Sequence, residues 1–243
     1  MRIPRIYYSE AIEVATPIVL DADASNHLSR VLRLQEEHPV VVFNGDGFNY
    51  QTEILKVSRK AVELKVLDKQ LNDSESKLAI HLGQVISRGD RMDFTIQKSV
   101  ELGVTEITPL ISERCGVKLN QERFDKKLEQ WQKIVHSACE QSGRSFVPKV
   151  NPIMSLEAWL TQEYQGTRIN LHPKAEIGFK QLKIDNQNAQ LLIGPEGGLS
   201  ELEITQARES GFTDVLMGPR VLRTETAALS ALSMLQCMHG DLG

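Results

Sequence analysis

Two segments near the C-terminus combine glycine, proline and charged residues in the order expected of ligand-binding loops. In the first, the apolar run Leu191–Ile193 leads into Gly194-Pro-Glu-Gly-Gly198, and the second is Met217-Gly-Pro-Arg-Val-Leu-Arg-Thr-Glu-Thr226. Each consists of an apolar run, a Gly/Pro loop and a helix-start signal. Two such units in succession predict adjacent parallel strands with loops at one sheet edge, where open α/β sheets bind ligands.

The first loop has the composition of a ligand-binding turn without the signature of a phosphate site. Its glycines let the backbone approach a ligand and expose N–H and C=O groups. The spacing is not G-x-G-x-x-G, no Lys-Ser/Thr pair follows, and Glu196 would repel a pyrophosphate. Ser200 and Glu203 form a capping box, which predicts a helix that Gly211 ends. A plain strand-to-helix turn needs only one glycine, so the cluster favours a functional loop.

The second loop carries two arginines, Arg220 and Arg223, beside Glu225. An arginine pair in a ligand loop usually has an anionic or planar partner, and surface salt bridging is the alternative. A helix with a small-residue surface is predicted from about Ala227 to Met238.

The N-terminal part has the pattern of short strands. Residues 39–67 alternate as strands around a hairpin-type turn at Asn44-Gly-Asp-Gly47. Before them, Asn26–Leu34 predicts a short helix with His27, Arg30 and Arg33 on or near one face. These elements together indicate a small, mostly antiparallel barrel.

The polar segment Asp68–Lys77 predicts a boundary between domains at residues 1–72 and 73–243. Beyond it, strand and helix spacing alternate, which indicates a parallel sheet. The predicted strands are Leu78–Ile86, Val104–Ile111, Arg168–Leu171, Ala189–Ile193 and Asp214–Met217, and the clearest helices run from Met92 to Gly103 and from Leu128 to Gly143.

Composition excludes several classes of protein. The 243 residues are 41% hydrophobic and 25% charged, as in soluble globular proteins. No apolar run is long enough to span a membrane and no secretion signal is found, so we expect a cytoplasmic protein. Three scattered cysteines and six histidines form no ligand pattern, so we expect no metal. A net charge of −4 excludes an overall basic protein but not a local RNA-binding stripe.

Several segments resemble those of one known family, in order and over nearly the whole chain. They are Met1-Arg-Ile-Pro-Arg5, His27-Leu-Ser-Arg-Val-Leu-Arg33, Gln97-Lys-Ser-Val-Glu-Leu-Gly103, Ser112-Glu-Arg114, Glu140-Gln-Ser-Gly-Arg144, Leu192-Ile-Gly-Pro-Glu-Gly-Gly198 and Arg220-Val-Leu-Arg-Thr-Glu-Thr226. On these motifs the chain is similar to the RsmE family of small-subunit ribosomal RNA uridine-N3 methyltransferases, in the SPOUT superfamily. Residues 174–188 match nothing in that family.

The resemblance implies an α/β fold in two parts. Residues 1–72 would form a small PUA-like β-barrel that binds RNA, and residues 73–243 a SPOUT methyltransferase domain. That domain has a trefoil-knotted parallel sheet with helices on both faces, which general rules of chain connection do not predict. SPOUT proteins resemble one another as homodimers that hold the cofactor S-adenosylmethionine (SAM) in the knot, at the subunit interface.

The resemblance also implies site residues. The cofactor positions carried over are Leu171, His172, Gly194, Pro195, Glu196, Gly197, Gly198, Met217, Gly218, Val221, Leu222 and Thr226. The implied reaction transfers methyl to N3 of a uridine, position 1498 near the decoding centre of 16S rRNA within the small ribosomal subunit. The N3 proton must leave, and a guanidinium beside a carbonyl would stabilise the resulting anion. We assign that role to Arg223, and Glu225 is a candidate base or orients Arg223.

RNA contact is expected from a group of cations rich in arginine, which suits phosphate and stacking contacts. The group comprises Arg2, Arg5, Arg30 and Arg33 in the barrel, Arg88, Arg91, Lys98 and Arg114 at its junction with the sheet, and Arg220.

Two other classes of protein stay open on the sequence. One is a catalytically silent RNA-binding or ribosome-assembly factor with this fold. The other is a doubly wound nucleotide enzyme that uses Gly194–Gly198 for phosphate. The two intact loops argue against the first, and Glu196 with the missing Lys-Ser/Thr pair argues against the second.

Overall fold

The computed structural model describes residues 3–58, 61–117 and 121–243, except the side chain of Gln121. They form two compact units: Met1–Glu75 with His136–Val147, and Ser76–Val135 with Pro148–Gly243. The sequence indicated one boundary, between residues 72 and 73, whereas the first unit also takes a second segment of chain. Side-chain bonds explain this, because Arg144 pairs with Glu75 and Ser145 donates to Asn49 Oδ1 at 2.7 Å.

The first unit is built on five strands, β1 Arg5–Tyr7, β2 Pro17–Val19, β3 Pro39–Phe43, β4 Phe48–Val57 and β5 Val62–Leu71. Their order is β1-β3-β4-β5-β2, and all pairs are antiparallel except β1 with β3. The predicted hairpin joins β3 to β4. The polar segment does not start at Asp68 as expected, because β5 keeps its backbone pairing with β4 to Leu71 although its side chains there are exposed.

The helix predicted at Asn26–Leu34 was misplaced. The α-helix α1 spans Ala22–Asn26, where Asp21 caps it by accepting a hydrogen bond from the Ala24 amide. It continues as a π-helical turn over His27–Val31. Arg33 is in the left-handed region at φ 55°, so it lies outside the helix. The Asp21 cap therefore sets the start of this element.

The second unit alternates strands and helices, as predicted. Its strands are β6 Ala79–Val85, β7 Glu106–Ile111, β8 Lys149–Val150, β9 Met154–Ser155, β10 Thr167–Leu171, β11 Asn188–Ile193 and β12 Phe212–Val215. Its helices are α2 Arg91–Glu101, α3 Gln121–Ser142 (which ends in the first unit), α4 Leu156–Leu160, α5 Glu201–Glu209 and α6 Thr224–His239, with a 3₁₀ turn at Phe179–Gln181.

The sheet of the second unit is parallel throughout, in the order β12-β10-β11-β6-β7-β8, with β9 also paired to β7. Almost every residue of β6 and β11 is buried, as expected of parallel strands covered on both faces. On one face, Trp159 of α4 and Ala207 of α5 pack on a cluster that includes Leu192 and Phe212. The predicted parallel sheet flanked by helices is confirmed.

Two details of the prediction were wrong. The strands before the two loops, β11 and β12, are not adjacent, because β10 lies between them and pairs with both. Helix α6 begins at Thr224 rather than near Ala227, so Glu225 and Thr226 are helical. The expected knot stays a prediction. Within the described ranges, no helix combines the length and apolar character needed to cross a membrane.

Candidate active site

The loops after β10, β11 and β12 surround one cleft of about 590 Å³, here called the loop cleft. Asn170–Lys174 line it from β10, Ile193–Glu196 with Gly198 and Leu199 from β11, and Val221–Thr224 from the segment before α6. All three strands are parallel, so their carboxyl ends meet at one edge. The expectation that both glycine-bearing loops reach the same edge is therefore confirmed, with β10 contributing a third.

Most of the residues expected to bind a cofactor lie in this cleft. The structure brings together Leu171, His172, Gly194, Pro195, Glu196, Gly198, Val221 and Leu222. Four others do not line it, namely Gly197, Met217, Gly218 and Thr226. Gly197 lies on a neighbouring pocket instead. Helix formation from Thr224 onward explains the exposed position of Thr226, which we expected in the loop.

A buried hydrogen-bond relay fixes the glycine-bearing loop to α6. Thr224 Oγ1 donates to the carbonyl oxygen of Gly194 at 2.8 Å. Gln84 Nε2 in turn donates to Thr224 Oγ1 at 2.9 Å, and Gln84 is fully buried in β6. A buried polar group needs such partners, so this relay sets the position of the loop where β11 ends.

The predicted capping box at the start of α5 is confirmed, and it has a second role. The Ser200 amide donates to Glu203 Oε2 at 2.8 Å, while Ser200 Oγ accepts from the Glu203 amide. The other carboxylate oxygen of Glu203 accepts from the Glu113 amide at 2.8 Å. The box therefore also ties down the loop after β7 that carries Arg114.

A second cavity, of about 1000 Å³, lies outside the carboxyl ends of β6, β7 and β11. It is called the arginine pocket here, and its charged and aromatic lining consists of Arg88, Asp90, Arg91, Phe94, Arg114, Glu196 and Glu225. Strand β6 lies between β11 and β7, and the strand order changes direction at this point. Open α/β sheets bind ligands at such a point.

Arg91 and Glu196 line both cavities and form the wall between them. Arg91 Nη1 donates to Glu196 Oε1 at 2.9 Å, and the Arg88 amide donates to the same oxygen at 3.1 Å. Burial raises the pKa of Glu196, but bonds from its own amide, the Arg88 amide and Arg91 outweigh it, so the pKa lies below its ordinary value. The carboxylate is thus charged and engaged, and Arg91 is paired within the protein.

The two residues expected to be catalytic face different cavities. Arg223 lines the loop cleft, is exposed, and has no ion pair or side-chain hydrogen bond in the described part of the chain. Glu225 lines the arginine pocket, with 15% of its side chain exposed and Oε1 4.0 Å from Arg91 Nε. Its Oε2 is buried without a hydrogen-bond partner among the described residues. The Glu225 carboxylate therefore keeps one unused acceptor beside the arginine pocket.

The cations expected to contact RNA are not equally available. Arg88, Arg91 and Arg114 line the arginine pocket. Arg5 is engaged within the first unit, because its guanidinium donates to Asn49 and Ser145 and lies over the Phe43 ring. Lys98 pairs with Glu101 at 2.7 Å and lines neither cavity. Exposed positions are held by Arg30, Arg33 and Arg220, and Arg2 lies outside the described residues.

Three residues that shape the site were missed from the sequence: Phe94 and Asn170 line a cavity, and Gln84 holds the glycine-bearing loop through Thr224. Gln84 is a readable signal because it is a polar residue inside an apolar strand, whereas Phe94 is a single aromatic residue off the apolar stripe of α2. Asn170 precedes the expected Leu171-His172 pair and is 1% exposed, and only the fold reveals its position. In the described ranges, no three His, Cys, Asp or Glu side chains come together as a metal site.

Known proteins with similar sequences show which family the chain belongs to. The chain is 40% identical to ribosomal RNA small subunit methyltransferase E of Buchnera aphidicola subsp. Schizaphis graminum over 99% of its length and 98% of that protein. The chain belongs to the ribosomal RNA small subunit methyltransferase E family. A family model described as an RNA methyltransferase domain matches residues 74–236, and one described as an RNA methyltransferase PUA domain matches residues 20–67.

Solved structures in the family have the same fold. The methyltransferase E of Neisseria gonorrhoeae, bound to SAM, is 40% identical with a TM-score of 0.94 and full coverage of both chains. A Legionella pneumophila protein described as a methyltransferase, in complex with SAM, is 39% identical with a TM-score of 0.96 and full coverage. The predicted family, the α/β fold and the N-terminal PUA-like domain are therefore confirmed.

Proposed function

We propose that this protein is a SAM-dependent methyltransferase that modifies N3 of a uridine in 16S rRNA of the small ribosomal subunit. The family analogy points to uridine 1498, near the decoding centre. The observation that carries the proposal is the shared wall of Arg91 and Glu196, because it sets the loop cleft directly beside a pocket with an unsatisfied carboxylate. Methyl transfer requires the methyl donor and the acceptor base to lie next to each other, as two neighbouring cavities allow.

The loop cleft fits SAM in size and chemistry. Its volume of about 590 Å³ falls within the range of small-molecule sites, and Leu171 and Leu222 offer apolar surface to an adenine ring. Asn170 Nδ2 donates to Asp214 at 2.7 Å, while Asn170 Oδ1 is buried without a partner among the described residues. Asn170 therefore keeps one unused acceptor at the cleft, which suits a hydroxyl or amino group of the ligand. When bound, SAM would supply an activated methyl group on its sulfonium sulfur.

Glu225 is proposed to accept the N3 proton of the uracil. This proton is held at neutral pH, and N3 becomes a nucleophile only when it leaves. Glu225 lines the arginine pocket, and its Oε2 is buried without a hydrogen-bond partner among the described residues, so the carboxylate keeps one unused acceptor beside the pocket. Arg91 Nε lies 4.0 Å from the other carboxylate oxygen and holds the side chain in place.

Arg223 is proposed to stabilise the uracil anion through a neighbouring carbonyl oxygen. Its guanidinium has no protein partner in the described part of the chain, so it is free to meet a developing negative charge. Arg223 lines the loop cleft and Glu225 lines the arginine pocket. Arg223 would therefore approach the base from the side of the loop cleft, and Glu225 from the side of the arginine pocket.

The enzyme is further proposed to act as a homodimer in the cytoplasm, where ribosomal subunits assemble. Val221 is 92% exposed beside the loop cleft and Leu202 of α5 is 64% exposed. Apolar side chains at the rim of a ligand cleft suit coverage by a second copy of the chain.

The test uses small subunits from a strain that lacks the modification. They are incubated with the protein and radiolabelled SAM, and the rRNA is then copied by reverse transcriptase. We expect label in 16S rRNA and a reverse-transcription stop, because an N3 methyl blocks Watson–Crick pairing. Tight RNA binding with neither label nor stop would favour a silent RNA-binding factor and contradict the proposal.

A further inference from the structure

The arginine pocket contains an aromatic side chain that packing of the helix does not explain. Phe94 lies in the first turn of α2, whose buried residues are Met92, Thr95, Ile96, Ser99 and Val100. At about 100° per residue, Phe94 points to the opposite side of the helix. It is 47% exposed and lines the pocket, and its ring has no stacking or cation–π partner in the described ranges.

A single exposed apolar residue is ordinary on a protein surface. Around Phe94, however, two arginines of the pocket are held in place by contacts with the backbone. Arg114 Nη1 donates to the carbonyl oxygens of Gly197 at 3.3 Å and Leu199 at 3.4 Å. The Arg88 guanidinium lies against Gly116, where a Cβ atom would come within 2.3 Å of Nε. The pocket therefore presents two positioned cations together with an open aromatic face.

These groups match the parts of one unpaired pyrimidine nucleotide. Single-stranded bases stack on aromatic rings, and arginines bind the phosphates on either side. The carboxylate of Glu225 lines the pocket and keeps one unused acceptor, which suits an N–H donor on the base. Uracil offers that donor at N3, whereas N3 of cytosine is an acceptor. We propose that Phe94 is the stacking platform for the acceptor uracil, with Arg88 and Arg114 at its flanking phosphates and Glu225 at its imide edge. This inference rests on the proposed function, because it names the acceptor site of that reaction.

Phe94→Leu tests the platform because it keeps apolar bulk and removes the ring face. We expect kcat/KM for small subunits to fall between about 5-fold and 150-fold, the range seen when one base loses its aromatic partner. SAM affinity by calorimetry and the melting temperature should stay near wild type, since Phe94 lies outside the loop cleft and is half-exposed. Phe94→Tyr should restore activity. The matched control is Phe146→Leu, because Phe146 is 40% exposed and lines neither cavity.

A cross-linking measurement does not depend on how a variant folds. Small subunits are reconstituted with 16S rRNA that contains 5-iodouridine, mixed with the wild-type protein and irradiated, and the adduct is mapped by mass spectrometry. We expect the adduct at Phe94.

Three results would overturn the inference. In the first, Phe94→Leu keeps wild-type kcat/KM. In the second, Phe94→Tyr is as impaired as Phe94→Leu. In the third, the adduct forms at another residue. If the wild-type protein still methylates the rRNA, each of these results contradicts only the role of Phe94. If the wild-type protein transfers no methyl group, the proposed function is contradicted as well.

Discussion

The relay from Gln84 through Thr224 to Gly194 gives a prediction whose size follows from its geometry. Thr224→Val keeps the shape of the side chain and removes the hydroxyl that donates to Gly194 and accepts from Gln84. Gln84 Nε2 keeps its bond to the Val85 carbonyl but loses one partner in a fully buried position. One unsatisfied buried donor costs about 1–3 kcal/mol, and the Gly194 bond adds about 1 kcal/mol.

We therefore expect Thr224→Val to lower the free energy of unfolding by about 2–4 kcal/mol, a large share of the typical total. Thr224→Ser is the matched control, since it keeps the hydroxyl and loses one methyl group, at about 1 kcal/mol or less. Urea denaturation measures both variants, and calorimetry should show weaker SAM binding only for Thr224→Val. If the valine variant is as stable as the serine variant, the relay does not hold the loop.

The remaining predictions concern the proposed chemistry and one half-buried histidine. Glu225→Gln should lower kcat by about 10²- to 10⁴-fold. Activity should partly recover at alkaline pH or on 5-fluorouridine-substituted rRNA, because the N3 proton then leaves more easily. If neither condition restores activity, Glu225 is not the proton acceptor. Arg223→Ala should abolish methylation and leave SAM affinity largely intact by calorimetry, whereas normal turnover would refute its assignment. Burial lowers the pKa of His136 to about 4, below the ordinary 6.5. As pH falls, His136 is protonated in the unfolded chain before it is protonated in the folded protein. Its contribution to the free energy of unfolding should therefore be complete above pH 6.5 and be lost as pH falls towards 4. Unfolding free energies across that window should fall less for His136→Phe, and equal slopes would contradict this.

Local sequence signals predicted much of the second unit, because helix caps and apolar runs depend only on residues close together in the sequence. The capping box of Ser200 and Glu203 and the apolar runs around Ile193 each specify their element without help from the rest of the chain. The position of β10 between β11 and β12 could not be predicted in this way. Strand order depends on which helices cover the sheet, and neighbours in sequence are not always neighbours in space.

The site was predicted as a set of residues but not as two cavities. We expected Arg91 as an RNA contact, and that stays a prediction, but the sequence did not predict that its guanidinium pairs with Glu196, 105 positions further along the chain. The motifs also omitted Phe94, since a single aromatic residue on a helix has no meaning until the pocket around it exists. Gln84 illustrates the reverse, because a glutamine in an apolar strand already indicates a buried polar contact.

Nucleoside mass spectrometry shows whether the protein transfers methyl to N3 of uracil. Small subunits that lack the modification are treated with the protein and SAM carrying a trideuterated methyl group, and their 16S rRNA is digested to nucleosides. We expect trideuterated 3-methyluridine. Label found only on a ribose oxygen, on C5 of uracil or on another base would contradict it, as would intact SAM after prolonged incubation.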